Sequence, residues 1–115
     1  MVGRHSDAAY RDILEGIKIK TLVHGERTLM AEFRLAAGRV LPQHAHPFEQ
    51  TGYLVSGRLE LVIDGTTHTV GPGDSWCIPM NSVHGATVDE DSVALEVFSP
   101  AREDYLKYLD GGSVA

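Results

Sequence analysis

Residues 38–57 read GRVLPQHAHPFEQTGYLVSG. Two histidines of this stretch, His44 and His46, are separated by a single residue. Side chains at i and i+2 of a β-strand point to the same face, so we expect a strand that offers two imidazoles to one metal ion. Imidazole is a good ligand for Zn, Fe, Ni and Cu. A third histidine, His84, is too far along the chain to share that strand, so the fold must bring it back.

Glycines at fixed distances frame the histidines. Five residues separate Gly38 from His44, and six separate Gln50 from Gly57. A second block follows about fifteen residues later, in which Gly73, Pro79 and His84 are spaced by five and then four residues.

The two blocks resemble the motifs of the cupin superfamily, G-x5-H-x-H-x3,4-E-x6-G and G-x5-P-x-G-x2-H-x3-N. Gln50 stands where the family usually has Glu, Asn81 replaces the inner glycine of the second motif, and Val88 replaces its last asparagine. The resemblance covers roughly residues 20–100. It implies an all-β fold, a single-domain antiparallel β-barrel of jelly-roll type with a short C-terminal helix.

The residue pattern also favours many short strands. Asp64-Gly65 joins two β-rich runs and predicts a two-residue hairpin turn, and residues 71–74 predict a second turn. Strands with turns every 8 to 12 residues are typical of a small sandwich or barrel. We therefore expect one cupin domain over residues 1–115, with the barrel at about 12–99.

The C-terminal helix is expected at about 100–110. Pro100 would take its first turn, since proline is favoured there. Tyr105 and Leu109 would form its packing stripe, helped by Leu106, and Gly111-Gly112 would end it.

Composition narrows the classes of function. The chain has 115 residues, 43% of them hydrophobic, and a net charge of −6 with no basic run, which argues against nucleic-acid binding. No apolar stretch approaches the length of a membrane span, and the polar N-terminus lacks the apolar core of a signal peptide.

The one cysteine, Cys77, cannot form an internal disulfide, so a cytoplasmic location is expected. Its apolar neighbours predict that Cys77 is a buried small hydrophobe, and Trp76 is expected in the core or a pocket wall.

Glu96 is the only charged residue of an otherwise apolar strand, VALEVF at residues 93–98. A carboxylate covered on both sides needs a partner or a chemical role. One interpretation is a structural ion pair with Arg34 or Arg102, and the other is a general acid/base that faces the metal.

A closer resemblance concerns the small cupins of pectin degradation. The segment EVFSPAREDYL at residues 96–106 is similar to their C-terminus, and HAHPFEQ at residues 44–50 is similar to their metal motif. Those enzymes convert cyclic 4,5-unsaturated uronates into linear keto sugars. The resemblance implies one divalent ion (Zn, Ni, Mn or Fe) held inside the barrel by His44, His46, Gln50 and His84.

The same resemblance implies a pocket lined by Glu96, Phe98 and Arg102. Glu96 would move a proton and Arg102 would pair with a substrate carboxylate, although Glu96 is one methylene longer than the aspartate of that family. Gln50 either ligates the ion through its carbonyl oxygen or hydrogen-bonds beside it. Four neutral ligands would leave the ion's charge uncompensated and attract an anionic substrate oxygen.

Two other functions remain open: an Fe(II)-dependent dioxygenase of the three-histidine cupin type, and a non-catalytic small-molecule-binding cupin. The expected partner is a small anionic molecule, without nucleic acid or membrane. A homodimer is expected as well, because Val93, Leu95 and Val97 alternate with Ala94, Glu96 and Phe98, and one of these sets must point out of the barrel.

Overall fold

The computed structural model describes residues 1–109, and β-structure dominates them. The predicted helix end at Gly111-Gly112 lies outside the described residues. The strands are β1 (Arg11–Leu14), β2 (Ile17–His24), β3 (Leu29–Leu35), β4 (Val40–His44), β5 (Glu49–Ile63), β6 (Thr66–Val70), β7 (Ser75–Ile78) and β8 (His84–Ser99). Among the described residues no helix has the length and apolar character needed to cross a bilayer.

Two long strands, β5 and β8, run through both layers of the fold. The C-terminal half of β8 pairs with β3 and with the start of β5, and β1, β2 and β7 extend this layer. The N-terminal half of β8 pairs with β4 and with the end of β5, which in turn pairs with β6. All these pairings are antiparallel. The predicted all-β antiparallel jelly roll is confirmed.

The crossing from one layer to the other depends on Gly57. The register between β5 and β8 shifts on both sides of Ser56 and again after Arg58. Gly57 has φ +95°, and a Cβ atom there would lie 2.1 Å from the Ser92 side-chain oxygen. Both the left-handed backbone and the close approach require glycine, so this motif residue lets β5 cross tightly over β8.

Both predicted turns are present. Asp64 and Gly65 have φ values of 48° and 82°, as expected for the turn of a two-residue hairpin. In the second turn the Asp74 amide donates to the Gly71 carbonyl at 3.0 Å. The β-rich run before Asp64-Gly65 and the apolar strand at 93–98 are the C-terminal parts of the longer strands β5 and β8, which continue from one layer into the other.

The C-terminal helix is shorter than predicted and of 3-10 type, spanning Glu103–Tyr108. Pro100 precedes it and does not occupy its first turn. Tyr105 packs edge-on against Phe33 and Phe98, with ring centroids 6.3 and 5.3 Å away. Leu106 does not join this packing and is 38% exposed, because the tighter 3-10 turn rotates it away from the barrel.

The interior between the two layers is apolar. Its largest fully buried side chains include Phe98, Ile17, Ile19, Leu29, Leu54, Ile78 and Val88. The prediction for Cys77 was wrong, since this side chain is exposed. Neighbouring residues of a strand point to opposite faces, so Cys77 points outward while Trp76 and Ile78 point inward.

Candidate metal centre

Three histidines meet at one end of the barrel. His44 ends β4 and His84 begins β8, and the two are partners across the strand pair. His46 lies beyond the end of β4, so the prediction that one strand carries both residues of the His-x-His pair was wrong. The chain leaves the strand after His44, yet the ligand atoms of all three histidines lie within 4.8 Å of one another.

Backbone contacts hold His46 in this position outside a strand. Its carbonyl oxygen accepts a hydrogen bond from the Asn81 amide at 2.9 Å. Asn81 has φ +64° and occupies the place of the motif's inner glycine. Asparagine is among the few residues that tolerate the left-handed region, so the substitution preserves the turn.

Hydrogen bonds also fix the orientation of the other two rings. His44 Nδ1 lies 2.8 Å from the Pro42 carbonyl oxygen, and His84 Nδ1 lies 2.9 Å from that of Ser82. A carbonyl only accepts, so Nδ1 of each ring carries the proton. The Nε2 atom of each ring therefore keeps its lone pair for a metal.

Gln50 is the fourth polar residue at this point. It is 8% exposed, and its Oε1 lies 3.1 Å from His46 Nε2. This hydrogen-bond distance is close to the separation of about 3.0–3.4 Å between two ligand atoms that lie about 2.1 Å from one ion at right-angled or tetrahedral positions, so both atoms can reach a shared cation. The next residue toward the N-terminus, Glu49, is exposed, since neighbouring residues of a strand point to opposite faces.

Burial and charge favour neutral imidazoles. Burial lowers the pKa of His46 and of His84, and the positive charge of Arg102 lowers both further. A neutral imidazole is the form that binds metal. Three imidazole rings and an amide oxygen make a donor set that suits a divalent transition ion.

A cavity of about 320 Å³ opens above the histidines, which is at the small end of the range for ligand pockets. His44, His46, Gln50 and His84 line it together with Glu96, Phe98 and Arg102. All the residues predicted for the site therefore reach one cavity. Its remaining walls are mainly apolar.

Glu96 points into this cavity from β8 and is 7% exposed. Burial raises the pKa of its carboxyl to about 8, although the nearby Gln50 and Trp76 side chains partly oppose the shift. Of the two interpretations offered by the sequence, the ion pair with Arg34 or Arg102 is not found in the described part of the chain. Arg34 pairs with Asp7 and Glu32 on the outside of the sheet.

Arg102 lies where the chain leaves β8 for the 3-10 helix. Its guanidinium donates through Nε and Nη2 to the two oxygens of Asp104, at 3.2 and 2.7 Å, and not to Glu96. It also lies 4.9, 5.0 and 3.8 Å from the ring centroids of Phe48, Phe98 and Tyr105. Such cation–π contacts hold the charge at the cavity wall.

Two of these aromatic residues were not assigned to the site from the sequence. Phe48 follows the histidine pair by two residues, and its ring also contacts that of His46 at 5.7 Å. Tyr105 was predicted only as a packing residue. The signal that points to both is Arg102, because an arginine side chain that is only 12% exposed needs flat apolar surfaces beside its guanidinium.

Comparisons with known proteins agree with this geometry. The Cupin domain family matches residues 31–99. The pectin degradation protein KdgF of Dickeya dadantii is 29% identical over 102 residues, which cover 87% of this chain and 93% of that protein.

Two solved structures are also similar to this chain over most of its length. KdgF from a Halomonas species superposes with a TM-score of 0.88 at 30% identity, covering 92% of this chain and 98% of that one. An RmlC-like cupin from Shewanella frigidimarina superposes with a TM-score of 0.81 at 30% identity, covering 84% and 87%.

Proposed function

The chain belongs to the cupin family, and from this premise we propose that it is a metal-dependent enzyme acting on a small carboxylated, sugar-like substrate. The specific reaction we propose is the linearisation of a 4,5-unsaturated uronate, a lyase- or isomerase-like step. The similarity to KdgF, named for pectin degradation, supports this choice of substrate class.

One observation carries the proposal. A single cavity brings together a three-histidine cluster, a buried carboxyl group and a guanidinium. A purely structural histidine cluster would have no need of Glu96 and Arg102 in the same cavity. A cation site, a proton-transfer group and an anion-binding group are what a small carboxylate undergoing acid–base chemistry requires.

We propose that His44, His46, His84 and Gln50 hold the ion, which is Zn, Ni, Mn or Fe. A divalent ion bound there would act as a Lewis acid that polarises a substrate oxygen. The four ligands are uncharged, so they would leave the positive charge of the ion uncompensated. An anionic substrate oxygen would be attracted to that charge. The mainly apolar walls exclude water and strengthen every electrostatic contact with the substrate.

Glu96 is the proposed proton-transfer group. Burial raises its pKa to about 8, so the carboxyl can give and take a proton near neutral pH. Arg102 is the proposed partner of the substrate carboxylate. A guanidinium has five N–H donors, and Asp104 engages only Nε and Nη2, so donors remain for a second carboxylate.

We expect Arg102→Ala to raise KM by about tenfold or more, because it removes charge-assisted hydrogen bonds to the substrate. If that pairing is equally strong in the ground and transition states, kcat stays within a few-fold of wild type. Steady-state kinetics measure both. The matched control is Arg27→Ala, at an exposed arginine in the turn between β2 and β3. An unchanged KM in Arg102→Ala would contradict the assigned role.

The function itself is tested with metal-loaded protein and a 4,5-unsaturated uronate. We expect the ultraviolet absorbance of the conjugated double bond to disappear without oxygen uptake. Oxygen consumption during turnover would instead favour the Fe(II) dioxygenase. Binding of acidic sugars without turnover, followed by calorimetry, would favour the non-catalytic binder.

We also propose a homodimer that forms through the outer face of the first layer. Val93, Leu95 and Val97 point outward on β8 and are half-buried. Beside them on β5, Tyr53 and Val55 are each 47% exposed. Apolar side chains grouped on an outer sheet face in this way are characteristic of a protein interface, and the charged register partners of Leu95 and Val93 on β3, Glu32 and Arg34, would form its polar rim.

Light scattering at micromolar concentration should therefore give twice the chain mass of 12.5 kDa. Leu95→Glu places a charge in the proposed interface and should give the monomer mass. The control, Val40→Glu, alters an apolar side chain of β4 that is 57% exposed and lies outside this face. A wild-type protein of 12.5 kDa would refute the dimer.

A cytoplasmic location completes the proposal. The single cysteine, Cys77, is an exposed free thiol. Exposed thiols persist where the redox environment is reducing, and this supports the cytoplasm. The redox state of Cys77 in protein isolated from cells, measured by thiol alkylation, tests the assignment.

A further inference from the structure

Three residues form a row across the strands that build the cavity wall. Gly52 on β5 is the register partner of Glu96 on β8 and of Trp76 on β7. Directly paired residues of neighbouring strands share a face. The Glu96 and Trp76 side chains accordingly flank Gly52 on the cavity side, and both line the cavity.

Gly52 creates the space between them. A Cβ atom at this position would lie 2.2 Å from both Nε1 and Cε2 of Trp76. The indole therefore covers Gly52, and its Nε1 atom lies over the residue that pairs with Glu96. Any larger residue at position 52 would push the ring away.

Two polar atoms of this row, Trp76 Nε1 and Glu96 Oε2, are buried and have no hydrogen-bond partner of normal geometry among residues 1–109. A buried donor or acceptor left unpaired costs about 1–3 kcal/mol, so native proteins rarely leave a complementary pair apart. An indole nitrogen can only donate, and a carboxyl oxygen accepts in either protonation state. The two atoms are complementary.

Gln50 completes the surroundings of the carboxyl. Its amide oxygen lies beside His46 Nε2. Gln50 and Trp76 are the two side chains whose proximity opposes the rise in the pKa of Glu96. Gln50 is committed to the histidine end of the cavity, so a donor from Trp76 would fix the carboxyl in one orientation.

We infer that Trp76 is a positioning residue, whose indole N–H donates a hydrogen bond to the Glu96 carboxyl across Gly52 and fixes the direction in which that carboxyl meets the substrate. The hydrogen bond is a property of the folded protein. Its effect on turnover rests on the proposed function.

The hydrogen bond is tested by nuclear magnetic resonance, because Trp76 is the only tryptophan and gives one indole N–H signal. In the ¹⁵N-labelled, zinc-loaded protein we expect this signal downfield of a free indole and slow to exchange with water. Glu96→Leu keeps a side chain of similar size without an acceptor. It should move the signal upfield, whereas Glu90→Gln, at an exposed residue of the same strand, should not. An indole signal at the same shift in wild type and Glu96→Leu would overturn the inference.

The kinetic consequence is tested with Trp76→Phe, which keeps an aromatic wall and removes the N–H. We expect kcat to fall by about tenfold or more, with metal content unchanged and KM within about twofold, because the substrate contacts remain. The control Tyr10→Phe removes the hydroxyl that donates to Glu32 outside the cavity and should leave kcat unchanged. Wild-type kcat in Trp76→Phe would overturn the positioning role.

If the wild-type protein itself fails to turn over uronates, the proposed function is wrong. The indole signal still decides whether the hydrogen bond exists.

Discussion

We expect His46→Ala to lose most of its bound divalent metal when elemental analysis compares it with wild type, which should hold one ion per chain. The substitution removes one ligand from a cluster whose ligand atoms lie within 4.8 Å of one another. Mutation of residues that only orient a metal ligand lowers metal affinity by about 10–100-fold. Removal of the ligand itself should therefore lower the affinity by more than about 100-fold.

Two further variants sharpen this experiment. His84→Ala should show the same loss, since its ring is 4.8 Å from that of His46. His68→Ala removes an exposed histidine on β6 and should keep the wild-type metal content. Thermal unfolding without metal confirms that each variant is folded. An undiminished metal content in His46→Ala would show that the ion, if present, is bound elsewhere.

The second large effect is expected from Glu96→Gln. The amide keeps the size of the side chain and its place in the cavity but cannot transfer a proton. General acid–base catalysis contributes about 10²–10⁴-fold, so kcat on the uronate should fall by that factor. Metal content should not change, since Glu96 is not among the four proposed ligands.

The control for Glu96→Gln is Glu90→Gln, which makes the same chemical change at an exposed position of the same strand. It should retain wild-type kcat. If Glu96→Gln turned over substrate at the wild-type rate, the proton would have to move by another route, and Glu96 would be a buried polar group without a catalytic role.

The sequence predicts the grouping of the three histidines, because motif spacing survives local irregularity. It assigns His46 to a strand, and the chain in fact leaves β4 two residues earlier, yet the ring still reaches the other two. The hydrogen bond from the Asn81 amide to the His46 carbonyl oxygen holds His46 in place outside the strand. That contact joins residues that are distant in sequence, so strand periodicity alone could not reveal it.

The role of Glu96 could not be decided from the sequence, because the choice depended on where two arginines lie. Arg34 is occupied on the outer face by Asp7 and Glu32, and this depends on how the N-terminal segment packs. The error at Cys77 has a different cause. Its apolar neighbours suggested that Cys77 is buried. In β7, however, side chains alternate between the two faces, so Cys77 points outward because Trp76 and Ile78 point inward.

The length of the C-terminal helix could not be predicted from the sequence either. Its pattern fits an α-helix, while the structure contains a 3-10 helix over Glu103–Tyr108. Isolated helical segments this short have little intrinsic stability. Their form is set by contacts such as those of Tyr105 with the barrel, which only the tertiary structure supplies.

The pairing of His44 with His84 across two strands joins ligand binding to the folding equilibrium. These residues are 40 positions apart in the sequence and meet only when β4 and β8 have paired. An unfolded chain therefore offers no assembled site, and a cation that binds the native state shifts the equilibrium toward it. At a free metal concentration 1,000 times Kd this linkage adds about 4 kcal/mol to the free energy of unfolding. Tm should consequently rise with metal concentration and fall on chelation, and the rise should be lost in His46→Ala.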